Sequence, residues 1–273
     1  MADARRGTVI TVFSTASAVG KTLISINMAA ELAQQGYRVC LVDLDLQFGD
    51  VCNYLQLHPT YTLADAVRAM EKGTDSFAVK DFLTPFDRYN VPFDVLAAPF
   101  KLEEAYNIQA KNLKQIILQL QLKYDFVVVD TASTFSEVNI MVMELSTIIS
   151  FLGIVDFIPT IKNMKSGNDT LQSLGYDTNM IRMILNRSNS KTRIDLQDVE
   201  ELLGSKFYHV LPNDFGSATR SIKTGCPLVL EDKISPLKTE LRNLVARYMN
   251  RPLEEVEGKK GTGRTSWFSK LFQ

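Results

Sequence analysis

The chain has 273 residues, 45% of them apolar, with a formal net charge of −1. That length suits one large α/β domain or two small ones, and a charge so near zero excludes a chain-wide pull toward nucleic acid or anionic lipid, though not a local one. Three scattered cysteines (Cys40, Cys52, Cys226) and two histidines exclude a disulfide scaffold and leave zinc or histidine acid–base chemistry short of residues.

The first predicted element is a short buried strand over Thr8–Phe13, reached from a start too short and polar to be a signal peptide. A helix over Lys21–Gln34 follows, with Leu23, Ile26, Asn27, Ala30 and Ala33 at helical spacing and Gly36 to end it. Residues 38–44 read as the next strand, so strand, loop, helix and strand form a βαβ unit. A helix is predicted over 62–71, a strand over 93–97 and one helix over 102–122. The clearest central strand is 125–130, D-F-V-V-V-D, whose unbroken apolar core fits a parallel sheet covered on both faces.

Further on, helices are predicted over 137–146, 161–174, Leu196–Leu203, 217–223 and 236–249, and strands over 147–155, 180–186 and 208–211. The alternation implies one doubly wound, mostly parallel α/β domain over residues 6–252, with helices on both faces of the sheet. Residues 253–265 have the composition of a flexible linker, and 266–273 form a short apolar and basic tail. No apolar run approaches the roughly 20 residues that span a bilayer, so the expected location is cytoplasmic.

Chemistry concentrates at S-T-A-S-A-V-G-K-T, residues 14–22. A phosphate-binding loop reads G-x-x-x-x-G-K-[ST] between a strand and a helix. Gly20, Lys21 and Thr22 stand in that context, but Thr15 occupies the first glycine position. Backbone N–H groups at a helix N-terminus hold phosphate oxygens; Lys21 would reach the β- and γ-phosphates and Thr22 would ligate Mg²⁺. A G-K-T that merely starts a helix is the plain alternative. Asp130, at the end of its apolar strand, is placed as a Walker B carboxylate, and D-L-D-L-Q ends the neighbouring strand with Asp43 and Asp45. All three carboxylates would reach the C-terminal edge of the sheet, where open α/β sheets bind ligands. Carboxylates capping strand ends in solvent are the alternative there.

The set S-A-V-G-K-T, V-D-L-D-L-Q-F-G-D, Y-D-F-V-V-V-D-T and I-L-N-R-S-N resembles the ParA/MinD family of deviant Walker ATPases, over nearly the whole chain. L-D-L-Q-F-G-D-V and the segment 211–215 resemble its CpaE/TadZ branch, linked to bacterial Flp/tad-type pilus assembly. Many proteins of that branch carry a receiver-like domain before the ATPase core, with which this chain begins. The resemblance implies a P-loop NTPase fold, ATP or ADP with Mg²⁺, and a homodimer favoured by ATP. It implies that Ser17, Ala18, Val19, Gly20, Lys21 and Thr22 cradle phosphate, and that Asp130 holds Mg²⁺ through water. Asp45 would orient the attacking water, with Asp43 supporting the loop and the metal shell. Asn186 would bond the adenine, lined by Pro212, Asn213 and Asp214; a plain turn residue is the other reading of Asn186.

The family loop is K-G-G-x-G-K-[ST]. Here Ala16 replaces the first lysine, and Ser17 and Ala18 replace the two glycines. The lysine normally crosses a dimer interface to neutralise phosphate charge, and losing such a cation slows phosphoryl transfer by orders of magnitude. Slow hydrolysis, no useful hydrolysis, and turnover with another cation remain open.

In the tail, Trp267 and Leu271, and Phe268 and Phe272, would share one helical face among Lys259, Lys260, Arg264 and Lys270. That is a weak amphipathic anchor for the inner face of a bacterial membrane, strengthened by dimerisation. A protein partner, pilus or secretion machinery among them, or a tail docked on its own domain are the alternatives. DNA binding is not expected, since Glu231, Asp232 and Glu240 interrupt the basic residues of the last third. Helix 137–146 reads as an interlayer helix, and by resemblance residues 135–143 are a dimer-interface candidate.

Overall fold

The computed structural model describes residues 6–73, 77–155, 158–188 and 196–255. Its elements in chain order are β1 (Thr8–Phe13), α1 (Lys21–Gln34), β2 (Val39–Leu44), α2 (Val51–Leu55), α3 (Leu63–Glu71), β3 (Thr84–Phe86) and β4 (Phe93–Leu96). There follow α4 (Leu102–Tyr106), α5 (Ala110–Gln121), β5 (Phe126–Thr131), α6 (Glu137–Glu144), β6 (Ile148–Gly153), α7 (Ile158–Ser173) and β7 (Ile181–Leu185). The last are α8 (Leu196–Leu203), β8 (His209–Val210), α9 (Phe215–Thr224) and α10 (Pro236–Tyr248). One eight-stranded sheet runs β3-β4-β2-β5-β1-β6-β7-β8. Every pair is parallel except β3 with β4.

The apolar strands are divided between two layers. In β5, Phe126 and Val128 join the core under α1 and α10, while Val127 and Val129 join the core of α3 and α5. The same alternation sends Val39 and Leu41 of β2 to the first layer and Cys40 and Val42 to the second. A strand buried on both faces has no polar phase, which is why these segments read as continuous apolar runs. At about 25 cal/mol per Å² of apolar area, each such side chain contributes on the order of 2 kcal/mol before entropy is subtracted. A third cluster, around Phe13, Phe151 and Leu171, lies under α7 and α8.

The doubly wound sheet agrees with expectation; three local features differ. The helix expected over 102–122 is two, α4 and α5. The Asn107 side chain donates to the Glu103 carbonyl and closes the first helix, a local bond that competes with helix continuation. The antiparallel edge strand β3 and the short helix α2 were not anticipated, being too short for either periodicity to register. At the C-terminal end, the Asn243 side chain bonds the backbone of Glu254 in both directions. Residues 256–265, expected to be linker, and the tail residues Trp267, Phe268, Leu271 and Phe272 lie outside the described residues. No helix among the described residues is long and apolar enough to cross a membrane.

Candidate nucleotide site

β1 ends at Phe13, and after seven intervening residues α1 begins at Lys21. Gly20 occupies the N-cap with φ 98° and offers no side-chain cap, and the first turn of α1 has no acidic residue. The helix therefore presents its unpaired amide donors and positive dipole end to whatever lies in front. In front lies a cavity of about 770 Å³, lined by Ser17, Ala18, Gly20, Lys21, Thr22, Asp45, Asn186, Pro212, Asn213 and Asp214 among others. That volume lies in the usual range for a small-molecule or cofactor site. Ten of the sequence-predicted residues thus converge on one opening, from β1, β2, β7 and β8 ends that are far apart in the chain.

Three predicted residues sit differently. Val19 turns its side chain into the core and faces the loop with backbone only. Asp130 lies beneath Thr22, whose hydroxyl donates to it at 2.6 Å, and the Ser25 hydroxyl donates to its other oxygen at 3.0 Å. Asp43 stands opposite Asp130 in the β2–β5 register. One of its oxygens accepts from the Asp45 N–H at 3.1 Å and the other from the Val51 N–H at 3.2 Å. Asp43 therefore clamps both ends of the loop that carries Asp45.

The Lys21 ammonium donates to the Ser133 hydroxyl at 2.6 Å, and that hydroxyl donates to the Ala16 carbonyl at 2.8 Å. Asn186 Nδ2 donates to the Val19 carbonyl at 2.8 Å, and its Oδ1 accepts the Arg187 N–H. An Arg187 guanidinium nitrogen donates to the Ala18 carbonyl at 3.0 Å. Side chains from two neighbouring loops thus fasten the carbonyls of residues 16, 18 and 19. The loop lacks two glycines, and Ala18 adopts φ 57° in the left-handed region. That backbone costs a residue with a Cβ roughly 1–2 kcal/mol, which the surrounding bonds offset. Ser25, Ser133 and Arg187 were missed from sequence. Ser25 had a signal, one helical turn after Lys21, and Arg187 had one, its place in the I-L-N-R-S-N motif; Ser133 had none beyond lying just after a predicted strand.

Burial and charge shape the titration of the site. Burial pushes Asp130 up to about 6, against the Thr22 and Ser25 hydroxyls and Lys21, which favour the anion. Burial, and then the nearby Asp130, hold Asp43 well above the usual carboxylate range. Burial lowers Lys21, with Asp130 and Asp45 opposing. A cation placed beside two such carboxyls favours their ionised forms. Among the described residues no cluster of three or more His, Cys, Asp or Glu side chains is placed to hold a metal ion alone. A divalent ion at Thr22 and Asp130 would thus complete its shell with water and phosphate oxygens, the manner in which Mg²⁺ is ordinarily bound. The donor set fits a Mg-nucleotide.

Strand, glycine-capped loop, lysine–threonine pair and buried carboxylate define a P-loop nucleotide-binding domain of the α/β class. Residues 10–225 match the CobQ/CobB/MinD/ParA nucleotide binding domain, and the chain belongs to that family. It is 28% identical over 252 residues to the septum site-determining protein MinD of Synechocystis, across 88% of each chain. Its fold superposes on a ParA family ATPase from Chlorobium tepidum with a TM-score of 0.79 at 21% identity, covering 88% of this chain and 98% of that one. It also superposes on MinD of Pyrococcus horikoshii complexed with Mg-ADP, with a TM-score of 0.75 at 20% identity, covering 89% and 96%.

Proposed function

We propose that this protein is an ATP-dependent dimerisation and localisation switch. The observation that carries the reading is the uncapped N-terminus of α1, with Lys21 and the Thr22–Asp130 pair at the mouth of the cavity. In this reading the loop amides and Lys21 bind the β- and γ-phosphates, and Lys21 leaves Ser133 to do so. Thr22 and Asp130 hold Mg²⁺, which supplies charge neutralisation between the phosphates. Asp45, placed by the Asp43 clamp, orients water at the phosphate end of the cavity. Asn186 and the segment from Pro212 to Asp214 take the adenine end. ATP favours a homodimer across this face, and loss of the γ-phosphate releases it.

Because Ala16 stands where the family has its lysine, hydrolysis is expected to be slow. The similarity to MinD supports a peripheral place at the inner membrane surface of a bacterium, with the tail residues Trp267, Phe268, Leu271 and Phe272 as the anchor. The L-D-L-Q-F-G-D-V segment supports assignment to the CpaE/TadZ branch and a task in pilus assembly.

Dimer mass and released phosphate, measured together on wild type and Lys21→Ala with and without Mg-ATP, test the switch. ATP-dependent dimers with phosphate release, both lost in Lys21→Ala, are the expected result. Dimers without release would make the protein a nucleotide-held scaffold, and absence of nucleotide binding would sink the proposal.

A further inference from the structure

The family's lysine is missing from the loop, yet the cavity still has to balance the charge of a polyphosphate. Among the described residues lining it, the cationic side chains are Lys21 and Arg187, set against Asp45, Asp50 and Asp214. Arg187 is half-buried, and one guanidinium nitrogen is anchored on the Ala18 carbonyl at 3.0 Å. A guanidinium carries five N–H donors, so the anchored group keeps others for a ligand. No carboxylate among the described residues pairs with it in an ion pair. Its backbone is a second, independent sign. Arg187 sits at φ 56°, an uncommon region for a long side chain. The Asn186 side chain holds it there by accepting its N–H at 2.9 Å. Strained backbone fixed by neighbours gathers where a side chain must be aimed.

We propose that Arg187 is the second cation of the nucleotide site, contacting the phosphates from within its own chain and replacing in place the charge that Ala16 lacks. The proposal rests on the nucleotide-site reading and adds the residue that makes the altered loop workable. A guanidinium suits the role because its planar fork matches phosphate oxygens in pairs.

Titration of the full chain with Mg-AMP-PNP and with AMP, across a range of salt, tests it with Arg187→Ala, Arg187→Gln and Arg187→Lys. Gln retains a donor for the Ala18 carbonyl without the charge; Lys retains the charge. Arg187→Ala and Arg187→Gln should each weaken Mg-AMP-PNP by about tenfold or more, the usual scale for losing a charge-assisted hydrogen bond. They should also flatten the salt dependence and change AMP affinity less, while Arg187→Lys stays closer to wild type. Wild-type affinity in Arg187→Gln would overturn the proposal and leave Arg187 a loop strap. Equal loss of AMP and Mg-AMP-PNP in all three would overturn it too, as loop damage. Lys21→Ala, run alongside, separates the two readings: if it also binds as wild type does, the nucleotide site itself has failed.

Discussion

Just before β5 begins, Asp125 meets Arg38 in a solvent-exposed pair at 2.8 Å; where β5 ends, Asp130 is buried against Asp43 with Thr22 and Ser25 bonded to it. The two ends of one strand handle the same residue type in opposite ways. At the amino edge, water screens the charge and the partner satisfies it locally, so the pair stabilises little. At the carboxyl edge, the carboxyls are crowded and desolvated, and the helix N-terminus beside them has no cap. One edge is complete as it stands; the other is the one the proposed function assigns to a ligand carrying a metal and phosphates.

The largest break in this comparison comes at Gly20. A Cβ there would lie 2.7 Å from Asn186 Nδ2, on a backbone at φ 98°. Gly20→Ala should destabilise the fold by about 2 kcal/mol, from left-handed strain and the displaced Asn186 bond, and weaken Mg-nucleotide binding. Urea denaturation and nucleotide titration on the same sample check both parts.

Ala18 sharpens the comparison from the other side. Ala18→Gly relieves a left-handed alanine but loosens the unfolded chain, so the net gain should stay below about 1 kcal/mol. Nucleotide affinity should not fall, because the loop amides and the Arg187 anchor on its carbonyl remain. A destabilised variant would show that any strain at the φ of 57° is smaller than the cost of the looser unfolded chain.

The smallest effect belongs to the amino edge. Hydrogen bonds from Arg38 hold the Asp125 carboxyl below its ordinary value of 3.8. A carboxyl depressed in the folded state stabilises above its unfolded value, and the contribution is lost as pH falls through the folded value. Asp125→Asn should therefore be slightly less stable than wild type at pH 7, with the difference closing in acid and shrinking in high salt. Nucleotide binding should be untouched; a change there would refute the separation of the two edges.

Sequence by itself determined the layered α/β plan, because buried strands and one-sided helices each impose a period that survives in a single chain. It also placed Lys21, Thr22, Asp45 and Asp130 correctly at strand and helix ends, since chemistry at a sheet edge follows local order. It could not show that Ser133 would hold the Lys21 ammonium or that Arg187 would fasten Ala18. Those contacts join residues 112 and 169 positions apart. Neither could it tell that Asp43 would spend both oxygens on its own loop, or that Asn107 would split a helix. Such choices turn on which donors and acceptors come within about 3 Å once the strands are ordered. Only the packed sheet brings β1, β5 and β7 ends together, so only the tertiary structure decides how this altered loop is held.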